Sequence, residues 1–166
     1  MGFGLFISLG VRTLMTFVGN KSYMELALLQ AEEAGARGEV PVGAVIIDGQ
    51  GQVVAQAGNA TLAAHDPTGH AEILAIRQAC LALGSQRLVG HDLYVTLEPC
   101  AMCAAAISFA RIRRLYFGAF DVKGGAVESG VQFFEQASCH HAPEVYSGID
   151  EVRSAALLKE FFKMRR

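Results

Sequence analysis

Leu93-Tyr94-Val95-Thr96-Leu97-Glu98-Pro99-Cys100-Ala101-Met102-Cys103 decides the fold. Its first five residues mix β-branched and aromatic side chains and predict a strand over 93–97. Residues 101–110, which follow almost at once, are small and apolar on every face and predict a helix buried all round, in the core or partly against a second subunit. A strand that passes into a buried helix with no loop between is half of a βαβ unit, and residues 112–117 supply the next strand.

Working back from that unit, a helix is expected over 70–83, with Ile73, Leu74, Ile76, Ala79 and Cys80 on its apolar stripe. A polar loop, 59–69, precedes it. Residues 42–47 and 52–58 are two strands joined by the turn Asp48-Gly49-Gln50-Gly51, a hairpin by its turn chemistry. Before them a helix starts at a Ser22 cap, carries Tyr23, Leu26, Ala27 and Ala31 on one face and stops at Gly38. Forward from the unit, a Gly-rich stretch (118–130) leads to a short strand at 145–146. A final helix from about Asp150 has Val152, Ala156, Leu157 and Phe161 as its expected stripe. The fold class is therefore α/β: a three-layer α/β/α sandwich around a mixed central sheet of about five strands.

The chain has 166 residues, 52% hydrophobic and 18% charged, which is the size and composition of one folded domain. A net charge of −2 gives no global attraction to nucleic acid, so RNA binding would need a local basic patch. Four cysteines are too few for a secreted disulfide framework in a chain of this length and point to a reduced, cytoplasmic setting. The apolar run from Phe3 to Val11 is too short to span a bilayer, and Arg12 follows it rather than preceding it as in a signal peptide. Residues 1–20 are expected to be an extension, loosely ordered or read from an upstream start, with the domain occupying 21–166 and no membrane association.

Two short motifs carry chemistry. His70-Ala71-Glu72 and Pro99-Cys100-Ala101-Met102-Cys103 each fall where a helix begins, so their side chains can converge. Alone, the first is a chance pattern in many helices, and the second is open to redox, structural or metal roles. Together they give one imidazole and two thiolates, three zinc ligands with a fourth position left open, which is the catalytic pattern. Zinc in such a site brings the pKa of water from 15.7 to about 7. Glu72, two residues from a ligand, is the candidate proton carrier. A thioredoxin-like Cys-x-x-Cys, or a structural zinc closed by His65, Cys80 or Cys139, remain alternatives. Cys139-His140-His141 reads as a polar loop near the site, with a metal role of its own open by composition.

These motifs, with Glu39-Val40-Pro41-Val42-Gly43-Ala44-Val45, Asn59, His65-Asp66-Pro67-Thr68-Gly69 and Phe161-Phe162-Lys163-Met164-Arg165-Arg166, resemble the cytidine deaminase superfamily, and most closely its bacterial tRNA-adenosine branch. The resemblance runs from about residue 22 to the C-terminus. It implies one Zn2+ per subunit, a homodimer, and adenosine-to-inosine conversion at the wobble position of a tRNA anticodon loop. It implies that Asn59 bonds the flipped base or its ribose, that the Ala71 amide and the backbone at Leu97-Glu98 meet the base edge, and that Val42 packs on the ring. Glu98 as a plain helix cap and Asn59 as a plain turn residue are the alternatives. Asp121, Lys123, Phe162, Lys163, Arg165 and Arg166 are the implied RNA contacts, a solvated basic helix end being the alternative for the last four. Two departures stand out. Phe120 occupies a position where that branch usually has arginine, and His140-His141-Ala142 replaces Asn-His-Arg. A small-molecule nucleobase deaminase (guanine, cytosine or a related aminopurine) on the same scaffold is the competing reading, and a zinc-stapled binding module without turnover is a third.

Overall fold

The computed structural model describes residues 22–165; the expected extension over 1–20 and Arg166 lie outside them. The elements run α1 (Tyr23–Ala36), β1 (Gly43–Ile47), β2 (Val53–Gly58), α2 (Ala71–Leu83), β3 (Asp92–Leu97), α3 (Ala101–Ala110), β4 (Arg114–Ala119), β5 (Glu144–Tyr146) and α4 (Glu151–Lys163). One five-stranded sheet has the order β2-β1-β3-β4-β5. β1 is antiparallel to both of its neighbours, while β3, β4 and β5 are mutually parallel, so the sheet is mixed as expected.

Alternation along β1 explains the layers. Ala44 and Ile46 join Leu93, Val95, Leu115 and Phe117 in the larger core, beneath Ala71, Ala75, Ala79 and Ile107 of α2 and α3. Val45 and Ile47 point the other way, into a second core with Met24, Ala27 and Leu28 of α1, with Leu157 of α4 packed against it. All five β1 residues are buried because both faces of the strand are covered.

Local signals set the ends. Ser22 Oγ accepts from the Glu25 amide at 3.2 Å and the Glu25 carboxylate accepts from the Ser22 amide at 2.7 Å, a capping box. Asp48 accepts from the amides of Gln50 and Gln52, both at 2.9 Å, and closes the hairpin. Gly43 lets α1 lie directly on β1: a Cβ there would run into the Ala27 carbonyl and the Ala31 amide, which are backbone and cannot yield. Gly43→Ala is therefore expected to cost about 3 kcal/mol or more, at the upper end for overpacking. Thermal denaturation checks this, and a midpoint unchanged from the native protein would refute the close approach.

Three expectations need correction. β4 begins at Arg114 rather than Ile112, because Arg111 turns left-handed (φ 60°) to end α3 and Ile112 still bonds back to Ile107. α3 is not buried all round within one chain: Ala101 is exposed and Phe109 is 71% exposed. On α4 the buried stripe is Ser154, Leu157, Leu158 and Phe161, whereas Val152 is 83% exposed and Ala156 faces solvent.

Candidate active site

The two motifs meet at the N-termini of α2 and α3. His70 and Cys100 are the N-cap residues of these helices, both with extended backbone and neither spending its side chain on a capping bond. That leaves an imidazole and a thiol pointing past the helix ends, where free amides and the helix dipole favour negative charge. His70 Nδ1 lies 3.7 Å from Cys100 Sγ and 3.6 Å from Cys103 Sγ. A tetrahedral zinc with Zn–S about 2.3 Å and Zn–N about 2.0 Å places N and S about 3.5 Å apart, so the donor set fits zinc with a shift of only about 0.2 Å. Among the described residues, neither His65, Cys80 nor Cys139 joins this cluster, which removes the closed structural site.

Electrostatics at the site follow from burial and sharing of protons. Cys100 is held down to about 4, first by the hydrogen bond from the Cys103 thiol and then by His70. Cys103, fully buried, is pushed up by the same partnership, and His70 is raised mainly by its bond to Cys100. Glu72, in the first turn of α2 and only 4% exposed, is pushed up to about 7 by burial, against the pull of its own amide and His70. A carboxyl group with that affinity can both take and give a proton near neutrality.

Around this centre the expected substrate residues are redistributed. Asn59 is buried, and its Oδ1 accepts from the Ala71 amide at 2.8 Å. The Ala71 amide, expected at the base edge, is thus taken up by Asn59. The Nδ2 of Asn59 has no hydrogen-bond partner among the described residues. Val42 is 5% exposed, and its carbonyl accepts from the Asn59 amide at 3.0 Å.

The Glu98 side chain does not cap α3. It is 2% exposed, and its carboxylate accepts from the amides of Asp121, Val127, Glu128 and Ser129 and from the Ser129 hydroxyl, at 2.7–3.2 Å. One buried side chain thereby shapes the loop of residues 120–130, which also joins the metal site through the Cys100–Gly125 bridge and the Ala126 amide on the Pro99 carbonyl. Burial raises the affinity of Glu98 for a proton, but these bonds outweigh it and hold the carboxyl below its usual 4.5. A depressed group stabilises the fold above its unfolded value and loses that contribution as pH falls through its folded value. Glu98→Gln is expected to lower the melting temperature at pH 7, with the gap narrowing below about pH 4. A gap that stays constant with pH would show that the charge is irrelevant.

Glu39 has a parallel role that sequence reasoning missed. It is 1% exposed and accepts from Thr61 Oγ1 and from the Leu62 and Ala63 amides, fixing the loop that leads to His70. The available signal was a carboxylate at the head of the apolar run Val40-Pro41-Val42. Asp66 adds to this by accepting from the Thr68 amide and hydroxyl at 2.8 and 2.7 Å.

Of the expected RNA contacts, Asp121, Lys123, Phe162 and Arg165 line one cleft of about 600 Å³, together with Val40, Leu97, Phe120 and Leu158. None of the metal ligands lines it. Asp121 Oδ1 accepts from the amides of Lys123 and Gly124 at 3.1 and 2.9 Å, which shapes the loop. Arg165 bonds the Gly38 carbonyl at 2.9 Å and lies over the Phe161 ring at 3.7 Å. Lys163 is exposed and does not line the cleft. The 139–141 segment lies at the opposite end of α3 from the ligands: Cys139 contacts Ser108, and His141 Nε2 meets the Ile112 carbonyl at 2.6 Å. A metal role there has no support among the described residues.

Comparison with known proteins identifies the family. The sequence model of the cytidine and deoxycytidylate deaminase zinc-binding region matches residues 19–119. A tRNA-specific adenosine deaminase from Agrobacterium fabrum is 64% identical over 144 residues, covering 87% of this chain and 94% of that protein. Its counterpart from Rickettsia bellii is 51% identical over 144 residues, with 86% and 99% covered. A solved structure from biochemical and structural studies of A-to-I editing by tRNA:A34 deaminases at the wobble position of transfer RNA superposes with a TM-score of 0.81. It shares 65% identity and covers 82% of this chain and 98% of that one. With its ligands, buried glutamate and fold all in place, the chain belongs to the zinc-dependent cytidine and deoxycytidylate deaminase family, in the branch of the tRNA-specific adenosine deaminases.

Proposed function

We infer that the chain is a hydrolytic deaminase that converts adenosine to inosine at the wobble position of tRNA, with residues 21–166 as its catalytic domain. The observation that carries the reaction type is the buried Glu72 carboxyl beside three ligands, because a purely structural or binding site has no use for it. The substrate follows from the family: the relatives that match nearly end to end are tRNA-specific adenosine deaminases.

His70, Cys100 and Cys103 would hold the zinc, which when bound supplies the acidity that lets water attack at neutral pH. Glu72 takes the proton from the attacking water and delivers it to N1 of the adenine ring. It then passes the second proton to the departing amine, so that adenosine and water become inosine and ammonia. Asn59, anchored through Oδ1, offers Nδ2 to an acceptor on the nucleoside. Val42, just beside it in the core, limits how deeply the ring enters.

Phosphates of the anticodon loop would be met by Lys123, Lys163, Arg165 and Arg166, and the exposed Phe109 of α3 supports a homodimer built on that helix. Among the described residues no helix is long and apolar enough to cross a membrane. A tRNA substrate and four free cysteines suit the cytoplasm.

The test is ammonia release by the zinc-loaded protein on free bases, nucleosides and an anticodon stem-loop with adenosine at the wobble position. Turnover of the stem-loop is expected; turnover of a free base with none on the stem-loop would overturn the reading. With four phosphate contacts, KM for the stem-loop should rise roughly fiftyfold between about 50 and about 200 mM salt. A salt-independent KM would refute the basic contacts.

A further inference from the structure

The chain contains no tryptophan and four tyrosines, and all four stand in one row. Tyr94, Tyr116 and Tyr146 are cross-strand partners on β3, β4 and β5, and Tyr23 joins them from the start of α1. Successive ring centroids are 5.2, 4.3 and 4.7 Å apart, and the last two pairs are nearly parallel, at 3° and 12°. The alternation that sends Leu93, Val95, Leu115 and Phe117 into the larger core sends these rings to the other face of the sheet. Helices cover that face unevenly. Among the described residues, α1 packs on β1, β2 and β3 and α4 on β3 and β4, with β5 left at the rim. The row is therefore sheltered at Tyr23 and opens toward Tyr146, which is 42% exposed.

An aromatic strip partly open to water is normally sheltered or used. One apolar segment of the chain is attached at its end. Residues 1–21 lie outside the described residues and join them at Ser22, next to the first ring of the row. Arg12 and Lys21 are the only charged side chains in that segment, and Leu14, Met15, Phe17 and Val18 stand between them. Along its centroids the row measures about 14 Å. Five residues of chain reach about 17 Å, so residues 14–18 are long enough in tether to meet every ring. A second copy of the chain fits less well. β5 offers a neighbour only three residues, and Glu144, which accepts from the Tyr146 hydroxyl at 3.0 Å, places an exposed charge on that edge, a feature that discourages strand pairing.

We propose that the tyrosine row is the docking surface for the chain's own N-terminal segment, with residues 14–18 lying over Tyr94, Tyr116 and Tyr146. Because the segment is tethered at the row, even a small apolar contact holds it, at an effective concentration that no free partner reaches. The surface lies on the face of the sheet away from α2 and α3, whose first turns carry the metal ligands. This role is therefore separate from the deamination reading and does not depend on it.

The experiment reads tyrosine fluorescence, which in this chain comes from the row alone. The zinc-loaded full chain is compared with a chain that starts at Ser22. That shorter chain folds on its own terms: both cores close among residues 22–165, and relatives matched along 94% and 99% of their lengths have no segment of this size. Acrylamide is expected to quench the full chain about half as strongly as the shortened one, because the cover takes the open side of Tyr146 out of water. Phe17→Asp in the full chain should quench like the shortened chain, since a carboxylate does not stay on an apolar strip. Phe17→Leu should remain protected. Zinc content and far-ultraviolet circular dichroism confirm that each chain is folded. Equal quenching of the full, shortened and Phe17→Asp chains would overturn the proposal. Protection of the shortened chain that grows with protein concentration would assign the row to a second copy and overturn it as well.

Discussion

Glu72→Gln is expected to retain zinc and lose turnover by about 10³-fold to 10⁴-fold, the upper range for a general acid–base group. The substitution keeps the shape of the side chain in a pocket where only 4% of it is exposed. It does not touch His70, Cys100 or Cys103, whose mutual distances already suit the ion. What it removes is a group that accepts and releases protons near neutrality, a property that burial confers by pushing the carboxyl up to about 7. Metal content and single-turnover rates on the stem-loop decide the matter. A variant with full zinc and more than about a tenth of native activity would place the proton transfer elsewhere.

Cys103→Ser should fail differently, losing both metal and activity. Cys103 is fully buried in the first turn of α3, so a weaker oxygen ligand there cannot be replaced by solvent. Zinc per chain is expected to fall from about one to below about a tenth, and activity with it, in line with the loss of one of three ligands. The fold itself should survive, because the two cores on either side of the sheet close without the ion. The melting temperature of Cys103→Ser should therefore match that of chelator-treated native protein, both below the zinc form. Retention of zinc by Cys103→Ser would mean that the ligand set is wrong.

The metal site was legible in the sequence because its information is local. Each ligand sits at a helix start that the chain marks within a few residues, and α3 spans residues 101–110 as its small-residue run predicts. The α4 stripe was misread because hydrophobicity favours Val152, whereas the face that meets β4 needs a small residue. Ser154 packs against Gly118 so closely that a Cβ on the glycine would collide with its hydroxyl. The loop-holding role of the Glu98 side chain was not legible for a related reason: its partners lie 23 to 31 residues downstream, and no local pattern records where a loop returns. The Asn59 to Ala71 bond is likewise a meeting of two segments that only the folded sheet brings together.

Glu98, Pro99 and Cys100 are consecutive, and they serve two masters. The first holds the loop of residues 120–130 on its carboxylate, and the last is one of three residues placed to hold the metal. Chemistry and recognition therefore share a single rigid joint, and a change in that joint disturbs both at once. Variation is cheap only on the outward side chains of the loop, such as Lys123 and Glu128, whose amides and not whose identities keep the wall in place. A lineage built this way can alter the outward face of that loop one surface residue at a time, while the metal site stays fixed.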